Sequence, residues 1–294
     1  MVHATIISTD ALAARLGGDW AIVDCRYDLA NEDWGYNQYL AGHIPGAAYA
    51  SLSHDLSAER TGTNGRHPIP THAAMAATFS RLGIGAGTQV VAYDQDSGMY
   101  ASRLWWMLRY LGHNEVAVLD GGWAKWAKEG RPVRNADEAR APATFQPQPR
   151  NAQCLSVSDV ERLVGDQSVL LVDARGPERF EGKSEPVDRV PGHIPGAANH
   201  FFRSNLAADG TLLPVHELRG HFNAMLAGHT PDQVVMYCGS GVTACQNLLA
   251  MEHAGLSGSR LYPGSWSEWS ADVRRPVETG PGKTSTHPPA RPSQ

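Results

Sequence analysis

The sequence Val234-Val235-Met236-Tyr237-Cys238-Gly239-Ser240-Gly241-Val242-Thr243-Ala244 runs from an apolar segment through a cysteine and two glycines into a helical pattern. Residues 234–237 combine two β-branched, one flexible apolar and one aromatic side chain, which suits a buried strand of a parallel sheet. The strand should stop at Cys238. Gly239 and Gly241 allow a tight turn in which successive backbone N–H groups point inward, and residues 243–252 (TACQNLLAME) have helical spacing with Leu248, Leu249 and Met251 to bury. A thiol at this junction faces a helix N-terminus, where unpaired N–H groups and the helix dipole favour an anion. Such sites bring a thiol pKa to roughly 3.5–7.5. Taken alone, the stretch also fits a buried structural cysteine.

The rest of the chain repeats itself. Ala21-Ile22-Val23-Asp24-Cys25-Arg26 matches Leu170-Leu171-Val172-Asp173-Ala174-Arg175, and Gly42-His43-Ile44-Pro45-Gly46-Ala47-Ala48 recurs as Gly192-His193-Ile194-Pro195-Gly196-Ala197-Ala198. Val90-Val91-Ala92-Tyr93-Asp94 matches Val234-Val235-Met236-Tyr237-Cys238, and Gly121-Gly122-Trp123 matches Gly264-Ser265-Trp266. The period is about half the chain, so the expectation is two homologous domains. Each half alternates short apolar β-rich runs with helical stretches, the pattern of an α/β domain whose parallel sheet is flanked by helices on both faces. Catalysis in such sheets belongs at the carboxyl ends of the strands. Because Asp94 replaces the thiol, only the second half can carry thiol chemistry. The boundaries drawn are 1–135 for a non-catalytic N-terminal domain, 136–153 for a Pro- and Ala-rich linker, 154–278 for the catalytic domain, and 279–294 for a Pro-rich tail expected to be disordered.

With 294 residues and 42% apolar content the chain can fill a core in each half. Its 25 basic and 30 acidic residues, a net charge of −5, leave no footprint for nucleic acid or an anionic membrane. The N-terminus has neither a charged start nor an apolar core, and no long apolar run follows, so a cytoplasmic location is expected. Cys25, Cys154, Cys238 and Cys245 are too scattered for a disulfide framework and show no Cys-x-x-Cys metal spacing. Cys245, two helical turns beyond Cys238, reads as a packed helical residue.

The duplicated layout, the paired Gly-His-Ile-Pro-Gly-Ala motifs, Gly-Ser-Trp-Ser-Glu-Trp at 264–269 and the loop Cys238-Gly239-Ser240-Gly241-Val242-Thr243 together resemble the tandem rhodanese-domain sulfurtransferases. The resemblance covers residues 4–278 and implies two rhodanese-like domains. It also implies a mechanism: Cys238 attacks the donor's transferable sulfur, a Cys238 persulfide forms over the N–H groups of residues 239–244, and a thiol or cyanide acceptor takes the outer sulfur. No metal or organic cofactor is called for. The expected partners are a small-molecule sulfur donor, a thiol or cyanide acceptor and, as a candidate reductant, a thioredoxin-like protein. Within the family, an Arg-Lys pair after the cysteine goes with thiosulfate, whereas Gly239-Ser240 resembles the 3-mercaptopyruvate branch.

The resemblance places a substrate-binding arginine at Arg179 and makes Arg189 the nearest candidate for a second. Gly239, Gly241, Val242 and Thr243 would complete the binding loop. It further implies a Ser-His-Asp relay, with Ser240 and His67 at the matching positions and Asp55 as the nearest carboxylate to the third. His43 and His193 stand in both copies of a repeat of which only one has the thiol, so they read as turn residues; Asp24 with Arg26 and Asp173 with Arg175 read as structural pairs. A cell-cycle phosphatase of the same fold would need an arginine where Ala244 stands. A thiosulfate:cyanide sulfurtransferase and a protein-to-protein persulfide carrier remain as alternatives.

Overall fold

The computed structural model describes residues 2–282; the proline-rich segment from 283 on, where most of the expected disordered tail falls, lies outside the described residues. By its contacts the chain forms two units. The first comprises the chain up to Arg60, His67–Cys154 and Leu206–Leu213; the second comprises Thr61–Arg66, Leu155–Asn205 and the chain from Pro214 on.

The first unit holds a parallel sheet of β1 (Ile6–Ile7), β2 (Ala21–Asp24), β3 (Ala47–Tyr49), β4 (Val90–Tyr93) and β5 (Val116–Leu119), in the order β1-β5-β4-β2-β3. The central strands are short apolar runs because both faces are covered. On one face Ile22, Val91 and Leu119 meet Leu12, Tyr39 and Trp126 from three helices. On the other, Val23, Val90, Ala92 and Val118 are equally buried, and helix Ala101–Tyr110 packs on β4 and β5.

The second unit repeats this with β6 (Leu170–Asp173), β7 (Ala198–Asn199), β8 (Val234–Tyr237) and β9 (Arg260–Leu261), all parallel, in the order β7-β6-β8-β9. Its register pairs Leu170 with Val234 as the first unit pairs Ala21 with Val90. Where β1 lies beside β5, the second unit has a backbone bond from Leu155 N–H to Leu261 O at 2.8 Å. Leu171, Val235 and Tyr237 pack under Val160, Phe180, Trp266 and Trp269, and helix Thr243–His253 packs on β8.

Residues 136–153 do not behave as a free linker. They are strapped to the first unit by Glu138 N–H to Tyr39 Oη (2.8 Å), Gln148 N–H to Leu111 O (2.8 Å) and Arg150 N–H to Tyr110 O (2.8 Å). Phe145 is the one aromatic in the strap, and it is buried edge-on against Phe79. A cavity of about 350 Å³ between this strap and Leu111, His113 and Glu115 is lined by none of the expected site residues.

Candidate active site

Cys238 follows directly on β8, and its side chain is buried. Its N–H donates to Ser265 Oγ at 3.1 Å, and its carbonyl accepts from Trp266 N–H at 2.9 Å. Ser267 N–H holds the Gly239 carbonyl at 2.9 Å. The chain then turns through Gly241 at φ +73°, where a Cβ would lie 2.8 Å from Pro263 Cα, so only glycine lets the loop sit this close. Val242 precedes helix Thr243–His253, and Cys245 Sγ donates to Gly241 O at 3.3 Å, which makes the second thiol a clasp of the loop. Gly239, Ser240 and Val242 are buried and Thr243 is half-buried.

The first unit shows what such a loop does with an anion. Asp94 follows β4 as Cys238 follows β8, and Trp123 N–H donates to its carbonyl as Trp266 N–H does to that of Cys238. The Asp94 carboxylate is buried and collects backbone N–H groups: Asp96 (3.2 Å) and Gly98 (2.9 Å) on Oδ1, Tyr100 (2.8 Å) and Ala101 (3.1 Å) on Oδ2. Burial pushes its pKa up to about 6 even though these bonds pull it down.

Two guanidiniums flank Gly239 in the second unit. Arg179 donates from Nε (3.0 Å) and Nη2 (2.7 Å) to Glu185 Oε1, and from Nη2 to Asp188 Oδ2 at 3.0 Å. Burial favours the neutral form of Glu185, but Arg179 and the N–H groups of Asp188 and Val187 outweigh it and hold the carboxyl below its usual range. Arg66 pairs through Nη1 with the other oxygen of Asp188. Arg189, the expected second arginine, is exposed, and Arg66 is the one found beside the loop. It went unread because nothing local marks it: its position depends on residues 61–66 joining the second unit.

Of the expected relay, Ser240 is buried in the second unit, while His67 and Asp55 belong to the first. The His67 ring stands edge-on to Tyr27 at 6.5 Å. One oxygen of Asp55 accepts from Ser51 N–H at 2.8 Å and the other pairs with Arg81. Ser53, two residues earlier, bonds Tyr27 Oη at 2.6 Å.

The repeated polar residues are structural. His43 and His193 bring Nδ1 within 2.8 Å of the carbonyls of Tyr39 and Phe180, and their rings stack on those same residues. Arg26 grips Asp24, and Arg175 grips Asp173, each through Nε and Nη2. Ser265 was also unread, although its signal was present: it stands where the repeat has Gly122, and it keeps that glycine's left-handed conformation at φ +56°. Among the described residues no cluster of His, Cys, Asp and Glu could hold a metal ion, and no helix is long and apolar enough to cross a membrane. All four cysteines are free thiols.

Comparison with known proteins matches a rhodanese-like domain at residues 8–129 and again at 156–272. A Pseudomonas aeruginosa protein named a probable 3-mercaptopyruvate sulfurtransferase is 44% identical over 95% of this chain and 100% of its own length. A Mycobacterium tuberculosis protein named a putative thiosulfate sulfurtransferase is 40% identical over 90% of this chain and 92% of its own. Among solved structures, the 3-mercaptopyruvate sulfurtransferase from Leishmania major superposes with a TM-score of 0.82 at 30% identity, covering 93% of this chain and 76% of that one.

Proposed function

Since the chain belongs to the rhodanese-like family and carries its domain twice, we propose that it is a sulfurtransferase that takes sulfur from 3-mercaptopyruvate onto Cys238 and passes it to a thiol or cyanide. The observation that carries this reading is the pair of matching loops. In one copy backbone N–H groups converge on the Asp94 carboxylate, and in the other a thiol stands at the same point.

In the reaction, the Cys238 thiolate attacks the donor sulfur and forms an S–S bond while the C–S bond breaks. The electron pair of that bond goes to the donor carbon as pyruvate enolate, which takes a proton to become pyruvate. The persulfide left on Cys238 is an anion for which the loop N–H groups of residues 239–244 provide. An acceptor thiolate then bonds the outer sulfur and returns Cys238 as thiolate, so two half-reactions share one covalent intermediate and the kinetics are ping-pong. Arg179 serves the donor's anionic end, with Arg189 as a second candidate; Ser240 and His67 move the proton, with Asp55, which also pairs with Arg81, as the nearest carboxylate. A cytoplasmic setting suits four free cysteines, with a thioredoxin-like reductant as one acceptor.

A second reading, thiosulfate as donor, draws support from two guanidiniums beside Gly239, which suit a dianion better than one would. Steady-state kcat/KM with each donor, against cyanide and against a dithiol, separates the two. The reading as a whole is tested by mass spectrometry: donor should add one sulfur to the wild type and none to Cys238→Ser. An adduct that persists in Cys238→Ser and disappears in a Cys25, Cys154 or Cys245 variant would refute it.

A further inference from the structure

Three consecutive residues stand behind the Cys238 loop and hold its backbone. Ser265 Oγ accepts from Cys238 N–H at 3.1 Å, Trp266 N–H donates to Cys238 O at 2.9 Å, and Ser267 N–H donates to Gly239 O at 2.9 Å. Ser267 is itself pinned: its Oγ accepts from Arg66 N–H at 2.9 Å and donates to Gly264 O at 3.3 Å.

A trans peptide is planar, and its C=O and N–H point in opposite directions. A donor that fixes the Cys238 carbonyl therefore turns the Gly239 N–H to the opposite side, and one that fixes the Gly239 carbonyl does the same for the Ser240 N–H. The first unit shows what lies on that side. There Trp123 N–H holds the Asp94 carbonyl at 2.8 Å and Ala124 N–H holds the Gln95 carbonyl at 2.9 Å, from the places that Trp266 and Ser267 take in the repeat. The N–H across the second of these peptides, that of Asp96, reaches the Asp94 carboxylate at 3.2 Å. A carbonyl held from behind thus turns the next N–H onto the side chain at the end of the strand, and in the second unit that side chain is the Cys238 thiol.

We infer that the Trp266 and Ser267 N–H groups aim the Gly239 and Ser240 N–H groups at the Cys238 sulfur, with Ser267 as a positioning residue that acts through the Gly239 peptide. This rests on the reading of Cys238 as the nucleophile that carries sulfur. The two aimed N–H groups meet the negative charge first on the thiolate and then on the persulfide, with no rearrangement of the loop between them. Ala124 at the matching place shows that the aim needs only the backbone N–H; the hydroxyl of Ser267 ties that residue to the segment Thr61–Arg66.

The test compares full-length wild type, Ser267→Ala and Ser267→Pro. Proline removes the N–H that holds the Gly239 carbonyl, at a place in the first turn of helix Ser265–Trp269, whereas alanine keeps it. The rate of persulfide formation at saturating 3-mercaptopyruvate, followed by mass spectrometry, should fall about 10²-fold in Ser267→Pro, the loss that goes with one misplaced donor to a developing anion, while KM changes much less. Ser267→Ala should lose far less of the rate. A second readout needs no organic donor: the Cys238 thiolate takes one sulfur atom from inorganic polysulfide, which leaves one atom shorter. In ¹H–¹⁵N spectra this loading should move the Gly239 and Ser240 amide protons of the wild type downfield, and the Ser240 shift should shrink in Ser267→Pro. A folded Ser267→Pro that loads at the wild-type rate would overturn the assignment, as would equal losses in the two variants, a raised KM at unchanged loading rate, or amide protons that stay in place in the loaded wild type. Should Ser267→Pro fail to fold, the wild-type amide shifts decide. A wild type that shows both shifts with polysulfide but takes no sulfur from 3-mercaptopyruvate would sink the proposed donor and leave this assignment standing.

Discussion

Ser265 supports a prediction in which the usual order of two substitutions reverses. It begins helix Ser265–Trp269 at φ +56°, where the first unit has Gly122 at φ +55°. That left-handed conformation costs a residue with a Cβ about 1–2 kcal/mol. The second unit tolerates it because the Ser265 hydroxyl works twice, accepting from Cys238 N–H at 3.1 Å and donating to Tyr262 O at 2.9 Å. Ser265→Ala keeps the strain and leaves the buried Cys238 N–H unpaired, a loss of about 1–3 kcal/mol. Ser265→Gly loses the same bonds but relieves the strain, so it should be more stable than Ser265→Ala by about 1 kcal/mol or somewhat more. In an ordinary helix the order is opposite, with alanine ahead by about 1 kcal/mol. Guanidinium unfolding of the three proteins measures this, and the rate of Cys238 persulfide formation reports whether the nucleophile has shifted. An alanine variant as stable as the glycine variant would refute the strain argument.

Three further outcomes are expected. Gly241→Ala combines left-handed strain with overlap on Pro263 and should lower stability by about 2–5 kcal/mol, whereas Gly46→Ala, at φ +81° with nothing within 4 Å, should lose only the strain; equal losses in denaturant melts would contradict this. Asp94 keeps its proton in the folded chain up to about pH 6, while the unfolded chain loses it near its ordinary value of 3.8. The stability its protonated form contributes is therefore present below about pH 4 and lost as pH rises through 6, by about 2–3 kcal/mol. Relative to Asp94→Asn, wild type should weaken by that amount between pH 4 and pH 7, and a flat difference in urea titrations would exclude it. Ser240→Ala should slow turnover of 3-mercaptopyruvate more than that of thiosulfate, because only the enolate needs a proton; equal slowing in initial-rate assays would remove Ser240 from proton transfer.

The duplicated sheet and the cysteine at the end of its strand were legible because they are local signals: four-residue apolar runs, glycine turns and a motif printed twice. Ser265 was legible in principle, as a serine where the repeat demands a positive φ. The place of Arg66 beside the Cys238 loop was not, since it arises from residues 61–66 joining the second unit, and such an exchange has no periodicity or composition to betray it. The strap at 136–153 misled for a related reason. Its backbone bonds to Tyr39, Leu111 and Tyr110 are long-range, and prolines with a single buried phenylalanine look like a spacer until the partner surface is known. Asp55 was a choice by proximity in sequence, and its pairing with Arg81, on a helix beginning well after it, has no local signal.

The traded segments also bear on how this chain is made. Leu206–Leu213 completes the first unit, with Leu212 N–H on Asp120 at 2.8 Å, yet it is synthesised after the whole first half has left the ribosome. Thr61–Arg66 waits as long for the unit it will join. Neither half of the chain, taken alone, contains every segment of its unit. A fragment cut at Leu155 would retain Cys238, its loop and Arg179, and would lack both Arg66 and the turn that carries it.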